Sequence, residues 1–187
     1  SGVIASDTSA VGTAKRSPAA TGYGTDKAIF AYGVDASGET NISNLVNNSG
    51  VVASDVTGVG TARAYAAGTG YGTDKAIFAY GETNLNMSNL VTNVGVVGTD
   101  VTGVGTARGR LSAARYGVGL AIYAYGSTSS MVSMSNLVNS SGVIASDVSG
   151  VGTARDSLGA ASYSTDKAIF AYGGDGSSAV SLKNLVS

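Results

Sequence analysis

Histidine and cysteine are both missing from this chain. Nucleophilic catalysis in its usual form needs an imidazole to activate a hydroxyl or thiol, so Ser–His–acid and Cys–His arrangements are excluded. A Ser–Lys pair stays open in principle, but nothing sets one serine apart from another. Without cysteine there are no disulfides and no thiol chemistry, which leaves the compartment open. Tryptophan is absent and proline occurs once, at Pro18. Charge is sparse too. Eleven cations against 12 acids give a net charge of −1, and the cations recur at regular intervals instead of clustering. That argues against nucleic-acid binding, which needs an excess of Lys and Arg on one face. No apolar run approaches the ~18 residues of a membrane-spanning helix. The opening Ser1-Gly2, with no Met and no leader pattern, is expected of a processed chain or a piece of a longer product.

What the chain does have is repetition. Its 28 glycines and abundant Ser and Thr accompany 43% hydrophobic residues, too apolar a content for a disordered polymer. The phrase GYGTDKAIFAYG fills 22–33 and returns unchanged at 70–81, with weaker copies at 117–126 and 163–173. Asp7, Asp55, Asp100 and Asp147 head equivalent segments 48, 45 and 47 residues apart. Eight residues after each stands a cation: Lys15, Arg63, Arg108 and Arg155. Tyr32, Tyr80, Tyr125 and Tyr172 are each followed by Gly, and Asn44, Asn89, Asn136 and Asn184 each open an NLV triplet. Asn44, Asn89 and Asn136 each precede the next Asp by 11 residues, so nearly all length variation falls after the Tyr-Gly. A fixed frame with one variable stretch is the pattern of a loop on a rigid unit. The chain therefore reads as one repeat domain, 1–187, of four units: approximately 1–46, 47–91, 92–138 and 139–187.

The period inside each unit is two, so β structure is expected throughout and no helix. In KAIFAYG, Ala28, Phe30 and Tyr32 are expected on one face and Ile29 and Ala31 on the other. Both sets are apolar, which predicts a strand covered on both sides. Further strands are expected over 132–138, 142–148, 111–116 and 158–163, with Gly, Asp and Ser supplying the turns. About four short strands per unit is the make-up of a β-propeller blade. Joining Ser187 to Ser1 nearly restores the continuous phrase NLVNSSGVIASD of 136–147. The expectation is a four-bladed propeller whose N-terminal strand completes the last unit and removes an open sheet edge. The alternative is a linear β array in which that strand is exchanged between molecules.

The order of cation, short strand, AIFAYG, variable loop, second strand, Asp, Gly-rich bend and cation resembles a kelch-type blade. The second Gly of the kelch pair is present only as Gly174, and the family's Trp is missing. The wording itself, DKAIFAYG…SNLV…GVIASDV…GVGTAR, resembles tandem-repeat proteins of bacteriophage and marine environmental sequences over essentially the whole chain. That resemblance implies a virion-associated or surface protein and brings no catalytic residue with it.

Candidate chemistry is correspondingly thin. The repeated set Asp7, Asp55, Asp100, Asp147 and the set Asp26, Asp74, Asp166 are copied from unit to unit, whereas a carboxylate pair for glycoside hydrolysis breaks symmetry. Each Asp of the first set is expected to cap a turn or pair with the cation eight residues on. A ring of four Asp around an axis, holding Ca²⁺ or Na⁺, is the alternative. GTGYGTDK and GVGTAR do not match a phosphate loop and read as turns. N-x-S/T triplets at Asn41, Asn47, Asn86 and Asn139 are about as frequent as chance allows. Unit three departs from the pattern, with Leu120 for Lys and two extra arginines, Arg110 and Arg115. A candidate binding surface of loop and unit-three residues comprises Asp35, Glu39, Asn84, Asn86, Arg110, Arg115 and Asp175. No catalytic residue, metal ligand or cofactor is assigned. The expected function is a non-enzymatic structural or binding module of a virion or cell-surface appendage. Its expected partners are copies of itself, other surface or virion proteins, and glycans; nucleic acid and membrane insertion are not expected. A multivalent glycan-binding lectin is the alternative, and a glycoside hydrolase follows behind it.

Overall fold

The computed structural model describes residues 2–82 and 85–187, and among them there is no helix. The first unit holds β1 (Ala19–Tyr23), β2 (Lys27–Ala31), a small hairpin of β3 (Val34–Asp35) and β4 (Gly38–Glu39), and β5 (Ser43–Val46). The second holds β6 (Ala67–Tyr71), β7 (Lys75–Gly81) and β8 (Leu85–Val91). The third holds β9 (Ser112–Tyr116), β10 (Leu120–Ala124) and β11 (Ser135–Val138), and the fourth β12 (Gly159–Tyr163), β13 (Lys167–Ala171) and β14 (Lys183–Val186).

In every unit the AIF strand is central, antiparallel to the strand before it and to the NLV strand after it. The register is the same each time. Phe30 lies opposite Ala20 and Asn44, Phe78 opposite Gly68 and Asn89, Tyr123 opposite Ala113 and Asn136, Phe170 opposite Ala160 and Asn184. The expected fourth strand is reduced to an outer rung held by two isolated bridges. Val46 and Ser43 meet Val52 and Val56; Val91 and Ser88 meet Val97 and Val101; Val138 and Ser135 meet Ile144 and Val148.

Among the described residues the fourth unit has no such rung. Its sheet stops at β14, and residues 2–11 form no strand and are exposed, Val3 at 85% and Ile4 at 96%. The expected sealing of the last unit by the chain's own N-terminal strand is therefore not seen.

The units stack in order. First strands of consecutive units pack together, β1 on β6, β6 on β9 and β9 on β12, whereas the third strands do not pack on one another in this way. Residue size explains the closeness. The first strands carry Ala, Gly, Thr and Ser at the contact, and a Cβ on Gly68 would stand 3.0 Å from the carbonyl oxygen of Ala20. Three apolar cores fill the spaces between units. Ile29, Ala31 and Tyr32 meet Ala76, Phe78 and Val91; Ile77, Ala79 and Tyr80 meet Ala121, Tyr123 and Val138; Ile122, Ala124 and Tyr125 meet Phe170 and Val186.

The facing differs from expectation at one position. Tyr32 does not share a face with Phe30; it turns to the face of Ile29 and Ala31. The cause is local: Tyr32, Tyr80, Tyr125 and Tyr172 all adopt left-handed φ of 62–64°, which ends the strand's alternation. The following Gly amide then bonds forward to the next unit, from Gly33 to the Arg63 carbonyl at 2.9 Å, Gly81 to Arg108 at 3.1 Å and Gly126 to Arg155 at 3.0 Å.

Candidate functional site

The repeated polar residues converge where the outer rung of a unit meets the bend leading into its first strand, a joint beside the preceding unit. Asp147 accepts from the Thr106 amide at 3.0 and 3.2 Å, from the Thr106 hydroxyl at 2.7 Å and from Asn136 Nδ2 at 2.9 Å. Asp100 repeats this with Thr61 and Asn89, and Asp55 with Thr13 and Asn44. The bends that present these threonines need glycine: Gly60 and Gly105 have φ of 77°, and a Cβ on either would run into the carboxylate.

A buried arginine completes the joints of Asp100 and Asp147, Lys15 takes that place beside Asn44, and a third buried arginine, Arg155, stands beside Asn184. Arg63, Arg108 and Arg155 are 0–1% exposed. Arg108 donates to the Tyr125 carbonyl at 2.8 Å, the Thr106 carbonyl at 3.1 Å and Asn136 Oδ1 at 2.7 Å, and its Nη1 lies 3.8 Å from Asp147. Its guanidinium also lies over the Tyr80 ring of the preceding unit, 4.5 Å from the centroid. Arg63 covers Tyr32 at 3.9 Å and Arg155 covers Tyr125 at 4.0 Å. Each cation thus ties its own sheet together and caps the aromatic of the unit before it.

The electrostatics follow from this geometry. Burial pushes the carboxyls of Asp100 and Asp147 up, but hydrogen bonds from Thr and Asn and the nearby guanidinium outweigh it and hold both below the ordinary value. Asp55 is held low by its bonds from Thr13 and Asn44. Burial pushes the phenols of Tyr32 and Tyr80 up to about 12. Three donors on each carboxylate favour its ionised form and tie the outer rung to the bend before the first strand.

The expected pairing of each Asp with the cation eight residues on is corrected. Asp100 faces Arg63 at 4.0 Å and Asp147 faces Arg108, cations that precede them by most of a repeat. The reason is that Asp lies on the outer rung of one unit, beside that unit's own NLV strand, while the following cation begins the next unit. Nor do the acids gather round an axis: Asp55, Asp100 and Asp147 each serve a separate joint.

Of the described candidate residues, Asp35 and Glu39 share the β3–β4 hairpin, and the others lie on different elements. Asp35 and Asp175 shape their own turns, accepting from the Ser37 amide at 2.6 Å and from the Ser177 and Ser178 amides at 2.9 Å. Glu39 lies exposed on β4. Asn86 is half-buried and donates to the Gly105 carbonyl at 2.8 Å. Asn84 lies outside the described residues. The unit-three arginines work between units. Arg115 donates to the Gly72 carbonyl at 2.7 Å, and Arg110 pairs with Glu82 at 2.6 Å and lies over Tyr65. An open groove of about 400 Å³ runs across the four first strands, with Thr21, Thr69, Asp74, Lys75, Arg115 and Ser162 in its lining.

Two functional groups escaped sequence reasoning, the threonines and the asparagines of the joints. Their signal was present. Thr13, Thr61, Thr106 and Thr153 all stand two residues before the cation, and each NLV opens with Asn, although neither position is needed for strand formation. Comparison with protein-family models finds no match, and comparison with curated proteins finds none either.

Proposed function

We propose that this chain is a non-enzymatic structural module of a virion or cell surface, in which repetition serves architecture. The observation that carries this reading is the fate of the repeated ionisable side chains. Asp55, Asp100 and Asp147 each latch an outer rung to the bend leading into the same sheet, and Arg63, Arg108 and Arg155 each tie their own sheet and cover the aromatic of the unit before it. The finer architecture belongs to the same proposal. First strands that meet while third strands stay apart support wedge-shaped, kelch-like blades arranged as a propeller-type arc. A screen of glycosidase and esterase substrates is expected to show no turnover above buffer, and sustained turnover abolished by a single carboxylate substitution would overturn the reading.

A second reading, a glycan-binding module, is favoured by one observation: the groove across the first strands offers hydroxyls from Thr21 and Ser162 beside Lys75 and Arg115. Glycan-array binding lost on Thr21→Val would support it, and an array without binding would remove it.

A further inference from the structure

The two ends of the stack carry opposite halves of the joint that its interior repeats three times. On the forward half, Tyr32, Tyr80 and Tyr125 are 1%, 0% and 4% exposed, whereas Tyr172 is 67% exposed. On the backward half, Phe78, Tyr123 and Phe170 are at most 1% exposed, whereas Phe30 is 39% exposed. Within the stack these aromatics meet as edge-on or tilted pairs, Tyr32 with Phe78, Tyr80 with Tyr123 and Tyr125 with Phe170. Tyr172 and Phe30 are the pair left over.

The polar latch shows the same split. Thr13, Thr61 and Thr106 each bind a carboxylate, and Asn44, Asn89 and Asn136 each donate to the same one. Thr153 and Asn184 have no such carboxylate among the described residues, although Arg155 is already in place on Asn184 Oδ1 at 2.9 Å. Asp7, the first of the repeated acids, has no partner among the described residues. Gly12, Gly60 and Gly105 face an aspartate across the bend, whereas Gly152 at the same φ faces only Asn184. β14 likewise lacks its outer rung, and residues 2–8, GVIASDT, repeat the 50–56 segment GVVASDV that supplies it to β5.

We infer that a second copy of this chain docks head to tail on the fourth unit, its residues 2–8 adding the missing rung to β14 and its first unit closing the open joint. In that joint Asp7 of the incoming copy meets Thr153 and Asn184, Phe30 meets Tyr172, and Lys15 covers Tyr172 as Arg63 covers Tyr32. The register follows from unit one, where Val46 bridges Val52: Val186 faces the incoming Ile4. The surface is heterologous, so each copy that docks presents a fresh acceptor. The inference rests on the architectural reading above, but its test is separate, because a strictly monomeric chain without turnover sinks the joint and leaves that reading standing.

The test is the double variant Ile4→Cys, Val186→Cys, in a chain that has no other thiol. Val46 and Val52 occupy a non-hydrogen-bonded antiparallel site, flanked by the bonds from Asn47 N to Val51 O and Ala53 N to Leu45 O. Such sites hold Cα atoms about 4.5 Å apart, within disulfide reach. Mild oxidation is expected to give a ladder of covalent dimers and higher multiples on a non-reducing gel. A monomer that migrates faster, from internal closure, or a monomer that stays reduced overturns the proposal. In parallel, Asp7→Ala is expected to weaken self-association at least tenfold in sedimentation while the monomer's unfolding is unchanged. Equal association of the parent and Asp7→Ala also overturns it.

Discussion

Replacing Arg108 probes the joint most directly, because one side chain there serves two sheets. In Arg108→Met the volume is roughly kept, but the Tyr125 carbonyl, the Thr106 carbonyl and Asn136 Oδ1 lose a buried donor. Each orphaned acceptor costs about 1–3 kcal/mol, and the lost stacking on Tyr80 adds about 1 kcal/mol. Asp147 softens the loss, since its side chain is 31% exposed and keeps its bonds from Thr106 and Asn136. The net expectation is about 4 kcal/mol, in the range for breaking a buried ion pair. Arg108→Lys should cost about half of that, because unit one already shows what a lysine manages: Lys15 reaches Asn44 Oδ1 at 2.7 Å and the Ile42 carbonyl at 3.2 Å. With a urea slope of about 2 kcal/mol per molar, the midpoint falls by about 2 M for Met and about 1 M for Lys. Identical midpoints for the two variants, or a Met midpoint within about 0.3 M of the parent, would refute the assignment of the joint to the guanidinium.

Other outcomes follow from the same geometry. Because the carboxyls of Asp55, Asp100 and Asp147 are lowered in the folded state, the unfolded chain binds more protons in acid. Their stabilisation is fully present above the unfolded value of about 3.9 and is lost as pH falls through the folded values; Asp147→Asn should flatten the drop in urea midpoint between neutral and acid pH. At the alkaline end Tyr32 and Tyr80 keep their protons to about 12, while the unfolded chain ionises near 10. Stability should therefore fade as pH climbs from about 10, with phenolate absorbance showing a late-titrating class that disappears on unfolding. Gly105→Ala should lower the melting temperature far more than Gly152→Ala: both have φ near 76°, but only the first drives a Cβ into Asp147 and Asn136. Tyr123→Phe removes the bond from its hydroxyl to the Ile77 carbonyl at 2.9 Å and should cost about 1–2 kcal/mol by urea melts, since Phe78 and Phe170 fill that slot elsewhere.

The β class and the burial of the central strand on both faces in β7 and β10 could be read from period-two alternation and self-alignment, because those features are local or repeated, whereas Phe30 on β2 is left exposed. The facing of Tyr32 could not, since alternation carries no mark of a backbone that turns left-handed at its last residue. Asp100 and Arg63 were visible as repeated, yet their pairing crosses most of a unit, and sequence proximity favoured the wrong cation. Arg110 and Arg115 stood out as extra charge; only the stacking of sheets reveals that Arg115 spends its guanidinium on the neighbouring Gly72 carbonyl. Closure of the last unit by residues 2–8 rested on matching phrases, whereas in the structure residues 2–11 form no strand.

The left-handed tyrosine gives the stack a polarity, with every seam made from the leading side of one module and the trailing side of its successor. An in-frame gain or loss of a module keeps the shared contact of cation and tyrosine at every new seam, because each unit brings both halves. The pair of Arg110 and Glu82 has no such freedom: it exists only where the third unit follows the second.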